Sequence, residues 1–334
     1  MRSAVSILLP FSGNSNFLSE SIESIIRQDF LQWELILIDN GASTDAQNVA
    51  GEASRKDSRI KIITESNSGI AHALNAGIMH SEGKYIARMD SDDYSFPDRI
   101  SKQFQYLEAH PSTGVVACMT EINPVTDRNE GFLKFVEWQN TISSAFDHAR
   151  SRFIESPIAH PSVMIRRELF ERYGKYAHGI FPEDYELWLR WMQAGISFVK
   201  LPEILLRWRD HPERMSRVSP AYSENAFYQV KSKYLSHYIG ENLDVSRKII
   251  VCGAGKKILP RINELIRAGV RIDFVTDIKR KMNHPLPFLP VDELSHSKNH
   301  FVINLIAKRG VRDDISIFLR EKGFIEMDDF ILAA

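Results

Sequence analysis

Residues 88–99 read RMDSDDYSFPDR and crowd Asp90, Asp92 and Asp93 into four positions directly after KYIA, a short apolar run. Like charges this close repel, so a chain that keeps them ionised has a cation or a dense set of donors to hold there. A solvated acidic turn has the same composition, and the surroundings must decide. Asp39 ends a second apolar run, WELILID, where a turn or capping role is the ordinary one. A third acidic point is Glu183-Asp184 in FPEDYELWLRWMQAG, where Pro182 and the two acids also suit a helix amino terminus. Lastly, ILLRWRDHPERMS puts Arg207, Arg209, His211 and Arg214 at the end of an apolar run, a pattern shared with solvated basic strand ends.

The elements that carry these residues alternate. VSILLP (5–10), WELILID (33–39), RIKIIT (59–64) and KYIARMD (84–90) read as strands. Between them, FLSESIESIIRQ (17–28) places Leu18, Ile22, Ile25 and Ile26 on one helical face, and SGIAHALNAGIMHS (68–81) is another helix. Ser43-Thr44-Asp45 can cap a helix after the second strand, and Pro97 can open one after the fourth. Strands separated by helices imply crossover connections, a parallel sheet and helices on both faces. Ligands of such sheets bind beyond the carboxyl ends of the strands. Asp39 and the Asp90-Asp92-Asp93 cluster both lie there, on different strands facing one crevice. After GVVACM (114–119) the alternation weakens, residues 120–150 resist assignment, and IAHPSVMIRRELF (158–170) reads as strand into helix.

Composition sets outer limits. A chain of 334 residues with 43% hydrophobic and 25% charged residues is an ordinary globular protein of two or three domains. The 42 basic and 43 acidic residues leave a formal charge of −1, which argues against a nucleic acid as main partner. Cys118 and Cys252 follow apolar residues and read as core positions, so no disulfide framework or zinc site is expected. The opening apolar run is too short for a signal core, and no run approaches the length of a bilayer span. These features predict a cytoplasmic protein, with peripheral contact at the inner membrane left open.

Six motifs in order, SILLP, ELILIDNGASTD, NSGIAHALNAGIMHSEGKYIARMDSDD, IAHPSVMIRR, PEDYELWLR and LLRWRDHP, resemble the family 2 glycosyltransferases over residues 4–216. The resemblance implies a GT-A fold, a mostly parallel sheet flanked by helices. It implies an enzyme that moves a sugar from a nucleotide-diphosphate sugar, UDP- or dTDP-linked by preference, to a hydroxyl of a saccharide or lipid-linked saccharide acceptor. By resemblance the reaction inverts the anomeric centre, depends on a divalent metal and serves surface polysaccharide or glycolipid biosynthesis. Asp90-Ser91-Asp92 matches the family's D-x-D, which makes Asp92 the first metal ligand and gives Asp90 to the ribose or to the metal and its water. Manganese or magnesium suits such an oxygen-rich site. His211 matches a further metal contact and Arg209 a phosphate partner. Pro10 and Phe11 then wall the base pocket, Asp39 accepts the base's imino hydrogen, and Asn67 and Asn75 join the donor contacts. The Glu183-Asp184 pair matches the family's acidic pair, with Asp184 as general base and Glu183 as its neighbour. Two departures stand out: Phe11-Ser12-Gly13-Asn14 follows Pro10 where a Tyr-Asn pair is frequent, and Ala73-Leu74-Asn75 replaces Ala-Arg-Asn, removing a phosphate-binding arginine.

The tail restarts the pattern. AYSENAFYQVKSKYLSHYI (221–239) is a helix suited to a connector, and RKIIVCGAGKKILPRINELIRAGVRIDFVTD (247–277) is a β-α-β unit ending in Asp277. The expected division is therefore 1–216, a connector at 217–246, and a small Rossmann-like domain at 247–334. Gly253 and Gly255 permit a tight turn, but Ile258 stands where a dinucleotide fingerprint has its third glycine. This favours a structural domain, or one that docks a second copy or a partner, over a working nucleotide site. Two alternatives remain for the whole chain. A nucleotidyltransferase would show a Gly/Arg-rich phosphate loop after the first strand, which PFSGNSNF lacks. A non-catalytic nucleotide-binding scaffold would not need both complete acidic motifs.

Overall fold

The computed structural model describes residues 3–14, 16–126, 129–279, 284–296 and 299–334, which form two compact units. The first comprises residues 1–148 and 158–222, and the second residues 149–157 and 223–334.

In the first unit the expected alternation appears as β1 (Val5–Gly13), α1 (Leu18–Ile26), β2 (Trp33–Ala42), α2 (Thr44–Lys56), β3 (Ile60–Thr64), α3 (Ile70–His80) and β4 (Tyr85–Arg88). There follow β5 (Tyr94–Ser95), α4 (Arg99–Ala109), β6 (Thr113–Asn123), α5 (Glu130–Asn140), α6 (Ala145–Ser151), β7 (Met164–Arg166), α7 (Glu168–Tyr173), α8 (Glu183–Gln193), β8 (Ser197–Arg209) and α9 (Met215–Val218). The sheet order is β3-β2-β1-β4-β7-β6-β8-β5. Pairing is parallel from β3 through β4 and between β6 and β8, whereas β7 and β5 run antiparallel to their neighbours. The stretch 120–150 that resisted assignment is the end of β6 followed by α5 and α6.

Both faces of this sheet are covered, which is why its central strands are almost continuously apolar. Side chains alternate between two cores. Ile7, Leu9, Leu35 and Leu37 pack with Leu18, Ile22 and Ile25 of α1 and with Ile100 and Leu107 of α4. Leu8, Ile36, Ile38 and Ile86 pack on the other side with Leu74 and Ile78 of α3 and with Trp188 and Trp191 of α8. The strand period of two thus fixes α3 and α8 on one face and α1 and α4 on the other. Both arrangements bring chain termini of the elements to the carboxyl edge of the sheet, where the acidic motifs lie.

The second unit contains α10 (Glu224–Asn242), β9 (Lys248–Cys252), α11 (Leu259–Arg267), β10 (Phe274–Thr276), β11 (His300–Asn304), α12 (Val311–Glu321) and β12 (Phe330–Leu332). Its sheet is parallel throughout, in the order β10-β9-β11-β12. The helix expected to serve as connector, α10, is part of this unit: Lys231 on α10 donates to the carbonyls of Ile154 at 2.8 Å and Ala333 at 3.1 Å. Gly253 has φ +111°, and a Cβ there would lie 2.3 Å from Ile258 Cδ1. Ile258 therefore packs onto the turn at the point where a dinucleotide would need open backbone. Asp277 accepts the Ala254 amide at 2.9 Å, so it braces the same turn.

Candidate active site

A cavity of about 730 Å³ opens at the carboxyl edge of the first sheet. Its walls come from the end of β1 (Pro10 and Phe11), the loop after β4 (Asp90, Asp92), the start of α3, the start of α8 (Glu183, Asp184) and the segment after β8 (His211, Arg214). The chain turns into α3 at Gly69, whose φ of +120° belongs to glycine. Asn40 clamps that turn, donating to the carbonyls of Glu65 and Asn67 at 2.8 Å each and accepting the Gly69 amide at 2.9 Å.

The acidic cluster divides by environment. Ligand oxygens of Asp90, Asp92 and Asp93 lie within 4.8 Å of one another. Asp92 Oδ2 meets His211 Nε2 at 2.7 Å. Burial acts to raise the Asp92 carboxyl, but the His211 hydrogen bond and the Arg214 charge outweigh it and hold the group below its ordinary value. Asp93 is buried, and burial together with the charges of Asp92 and Asp90 pushes its carboxyl well above the usual range. Its Oδ1 accepts the Arg209 amide at 2.9 Å, and its backbone carbonyl accepts Ser21 Oγ at 2.6 Å. Asp93 thus ties the end of β8, and with it His211, to the β4 loop. Asp90 is ion-paired with the buried Arg88.

The second acidic pair divides as sharply. Glu183 is buried: its Oε2 accepts Tyr222 Oη at 2.7 Å, and its Oε1 lies 3.6 Å from His160 Nδ1. His160 in turn bonds Tyr176 Oη through Nε2 at 2.8 Å. Burial alone would raise Glu183, yet these contacts hold it below its ordinary value. Asp184 spends Oδ1 on the Tyr185 amide at 2.7 Å and lines the cavity with the remainder of its carboxyl. Burial and the charge of Glu183 push it up to about 8, the range in which a carboxylate is a competent general base. One acid is held by neighbouring side chains, and the other lines the cavity with its carboxyl raised.

Of the residues expected from sequence, Pro10, Phe11, Asp90, Asp92, Glu183, Asp184 and His211 share this cavity, whereas Asp39, Asn67, Asn75 and Arg209 do not line it. Asp39 is buried; it accepts the Gly41 and Ala42 amides at 3.1 and 2.9 Å and Gln47 Nε2 at 2.8 Å, so it braces the turn after β2. The Asn67 side chain is turned to Glu65 at 2.8 Å. Asn75 bonds within the chain: its amide accepts the Tyr176 N–H at 3.1 Å and donates to the Tyr176 carbonyl at 2.9 Å, fixing α3 to the loop before α8. Arg209 is likewise engaged elsewhere, with Glu20 at 2.8 Å and over the Phe17 ring at 4.0 Å. Two arginines that do line the cavity are Arg88 and Arg214, and the Arg214 guanidinium lies 4.7 Å from the Phe132 ring centroid and 4.6 Å from that of Trp208.

A mixed sheet with acidic groups at its carboxyl edge hosts many chemistries, and comparison with known proteins narrows them. Residues 6–174 match the sequence model of "Glycosyl transferase family 2", half of the chain. The chain belongs to glycosyltransferase family 2. It is 31% identical over 225 residues to the putative glycosyltransferase EpsE of Bacillus subtilis strain 168, covering 66% of this chain and 77% of the relative. It is 30% identical over 235 residues to the O-antigen biosynthesis glycosyltransferase WbnJ of Escherichia coli, covering 68% of this chain and 87% of that protein. In fold it is similar to the mannosyltransferase PcManGT of Pyrobaculum calidifontis, solved with GDP-Man and Mn2+, with a TM-score of 0.51, 17% identity and coverage of 80% and 69%. S. aureus TarS 1–349 in complex with UDP-GlcNAc gives a TM-score of 0.56 at 16% identity, covering 80% of this chain and 81% of that one. This glycosyltransferase is therefore an enzyme of the GT-A class, with relatives in polysaccharide biosynthesis. Among its described residues no helix is long and apolar enough to cross a membrane.

Sequence reasoning missed Arg88, His160, Tyr176 and Tyr222. Arg88 and His160 stood inside quoted motifs read as strands, and only the tertiary contacts show where their side chains go.

Proposed function

We propose that this glycosyltransferase transfers a sugar from a nucleotide-diphosphate donor to a hydroxyl of a saccharide or lipid-linked saccharide, with inversion and with a divalent metal, in the assembly of a surface polysaccharide. The observation that carries the reading is the division of labour at α8: Glu183 is tied to Tyr222 and held close to His160, while Asp184 keeps carboxylate capacity towards the cavity that Asp90 and Asp92 also line. A base on one wall and a metal-holding group on another suit direct displacement at one carbon.

The donor set fits a hard cation. It consists of carboxylate oxygens with one imidazole, a composition suited to manganese or magnesium. Asp92 and Asp90 would hold the ion with His211, whereas Asp93 is spent on the Arg209 amide. When bound, such an ion neutralises charge on the departing diphosphate. The chain's residues do the rest. Arg214 supplies fixed positive charge beside the diphosphate, in the role that sequence matching had given to Arg209. Pro10 and Phe11 offer an apolar wall to the base. Asp39 retains about one unused lone-pair site after its three contacts, enough for a single imino hydrogen of uracil or thymine. Asp184, held by the Tyr185 amide, takes the proton of the acceptor hydroxyl as that oxygen attacks, and the charge of Glu183 makes it the stronger base.

Support also comes from fold relatives solved with GDP-Man and Mn2+ and with UDP-GlcNAc. A thermal-shift panel of UDP-, dTDP- and GDP-sugars, with and without Mn2+, tests donor class and metal together. Stabilisation by one nucleotide class only when the metal is present is the expected result. Absence of a shift with every donor would count against the reading.

A further inference from the structure

Arg88 closes β4 at the floor of the cavity, and its side chain is 4% exposed. Among the described residues its one side-chain partner is Asp90, bonded through NH1, and its buried Nε has no hydrogen-bond partner. A guanidinium has five N–H donors, and leaving buried donors unmet is costly. A buried Nε with no hydrogen-bond partner also occurs on Arg99, so the unmet donor alone assigns no ligand, and what sets Arg88 apart is that it lines the cavity. The place narrows what it can bind. On one side stand Asp90 and Asp92, the donor-diphosphate wall; on the other stand His160, Glu183 and Asp184, the acceptor wall. The carbon under attack must lie between the leaving oxygen and the attacking oxygen, so the transferred sugar sits over the floor between these walls.

We propose that Arg88 contacts the transferred sugar itself, donating to its ring hydroxyl oxygens, and so helps to choose the sugar as well as to hold it. Hydroxyls suit this position. They accept N–H groups without adding another negative charge to a site that already holds Asp90, Asp92, Glu183 and Asp184. The backbone holds the residue rigidly: the Arg88 carbonyl accepts Arg99 NH1 at 3.2 Å, and the same nitrogen binds the Pro161 carbonyl at 2.5 Å. A contact mounted on the central strand and braced by a second buried arginine has little freedom to adapt to a different sugar.

This inference rests on the donor reading above, and its test separates the two. Wild type, Arg88→Gln and Arg88→Lys are titrated calorimetrically in Mn2+ with UDP, dTDP and GDP. The same proteins are then assayed for diphosphate release from UDP-N-acetylglucosamine, UDP-glucose, dTDP-glucose and GDP-mannose. For the pair that wild type accepts, Arg88→Gln should bind the free diphosphate within about twofold of wild type, which also shows that it folds. Its kcat/KM for the sugar nucleotide should fall about 10- to 100-fold, the effect of deleting a charged hydrogen-bond donor to substrate, and Arg88→Lys should recover part of it. Parallel loss of diphosphate affinity would show that Arg88 serves only to hold Asp90, and unchanged values for both would show that it touches no substrate; either overturns the proposal. Wild type that binds no diphosphate at all would instead overturn the donor reading, and the Arg88 assignment with it.

Discussion

Asp184→Asn separates chemistry from stability in one substitution. Asn keeps the size of the side chain and an oxygen to accept the Tyr185 amide, now 2.7 Å from Asp184 Oδ1. It cannot take a proton from an acceptor, so transfer should fall about 100- to 10,000-fold while donor binding stays near normal. Stability should move the other way. Burial and the Glu183 charge raise the carboxyl from an ordinary 3.8 to about 8. The folded protein thus binds this proton more tightly than the unfolded chain, and its stability falls as pH rises between those values. At 1.36 kcal/mol per tenfold the full difference, from 3.8 to about 8, is a ceiling of ~6 kcal/mol. Because the carboxyl also borders the open cavity, we expect about 2 kcal/mol of it to be realised, or ~4–8 °C for a unit of this size. The variant, lacking the titration, should melt higher than wild type above pH 8 and about equally near pH 4. Melting curves across this pH range, in chelator and without substrate, measure the stability half; transfer to a supplied acceptor measures the other. Near-wild-type transfer by Asp184→Asn, or a melting difference independent of pH, would refute the reasoning.

Other substitutions follow from the same contacts. Transfer by wild type should rise with pH through about 8 as Asp184 ionises, and a flat profile between pH 6 and 9 would remove Asp184 as the base. Glu183→Gln should cost less transfer than Asp184→Asn when both are assayed together, and a severe loss in Glu183→Gln alone would move the base one residue back. Tyr222→Phe deletes the 2.7 Å bond to Glu183, so we expect ~1–3 kcal/mol of stability lost and transfer reduced about tenfold at unchanged diphosphate affinity, by melting and kinetics. Asp92→Ala should fold and lose metal-dependent nucleotide binding in calorimetry; equal affinity for variant and wild type, in manganese and in chelator alike, would remove Asp92 as a ligand. Truncation after residue 240 leaves residues 149–157 without Arg309, which lies 3.4 Å from Glu155, and should lower the melting temperature.

Local sequence carried much of this molecule and tertiary contact the rest. The strand-helix alternation was legible because covered parallel strands are apolar without interruption, and the acidic motif after β4 lines the cavity whereas Asp39 after β2 does not. The strand within residues 158–170 was legible as β7 running into α7, but its antiparallel place between β4 and β6 was not, for three residues carry no signal of direction. Asn75 sits in a matched motif yet spends its amide on Tyr176, 101 residues away, which no local pattern reveals. The same holds for Arg209 and Arg214: both are basic residues after one strand, and only packing shows that Glu20 and Phe17 hold the first while the second lines the cavity. Residues 149–157 lie inside the span expected for the first domain but belong to the second unit, joined there by Lys231 and Arg309.

The central claim is that one cavity binds a sugar nucleotide through a divalent ion at Asp90 and Asp92 and activates an acceptor at Asp184. Its most direct measurement is release of nucleoside diphosphate from a panel of UDP-, dTDP- and GDP-sugars by wild type and Asp92→Ala, each in Mn2+ and in chelator. The account predicts release from one nucleotide class by wild type in Mn2+, and none by wild type in chelator or by Asp92→Ala in either condition. Equal release in chelator, or undiminished release by Asp92→Ala, would contradict it.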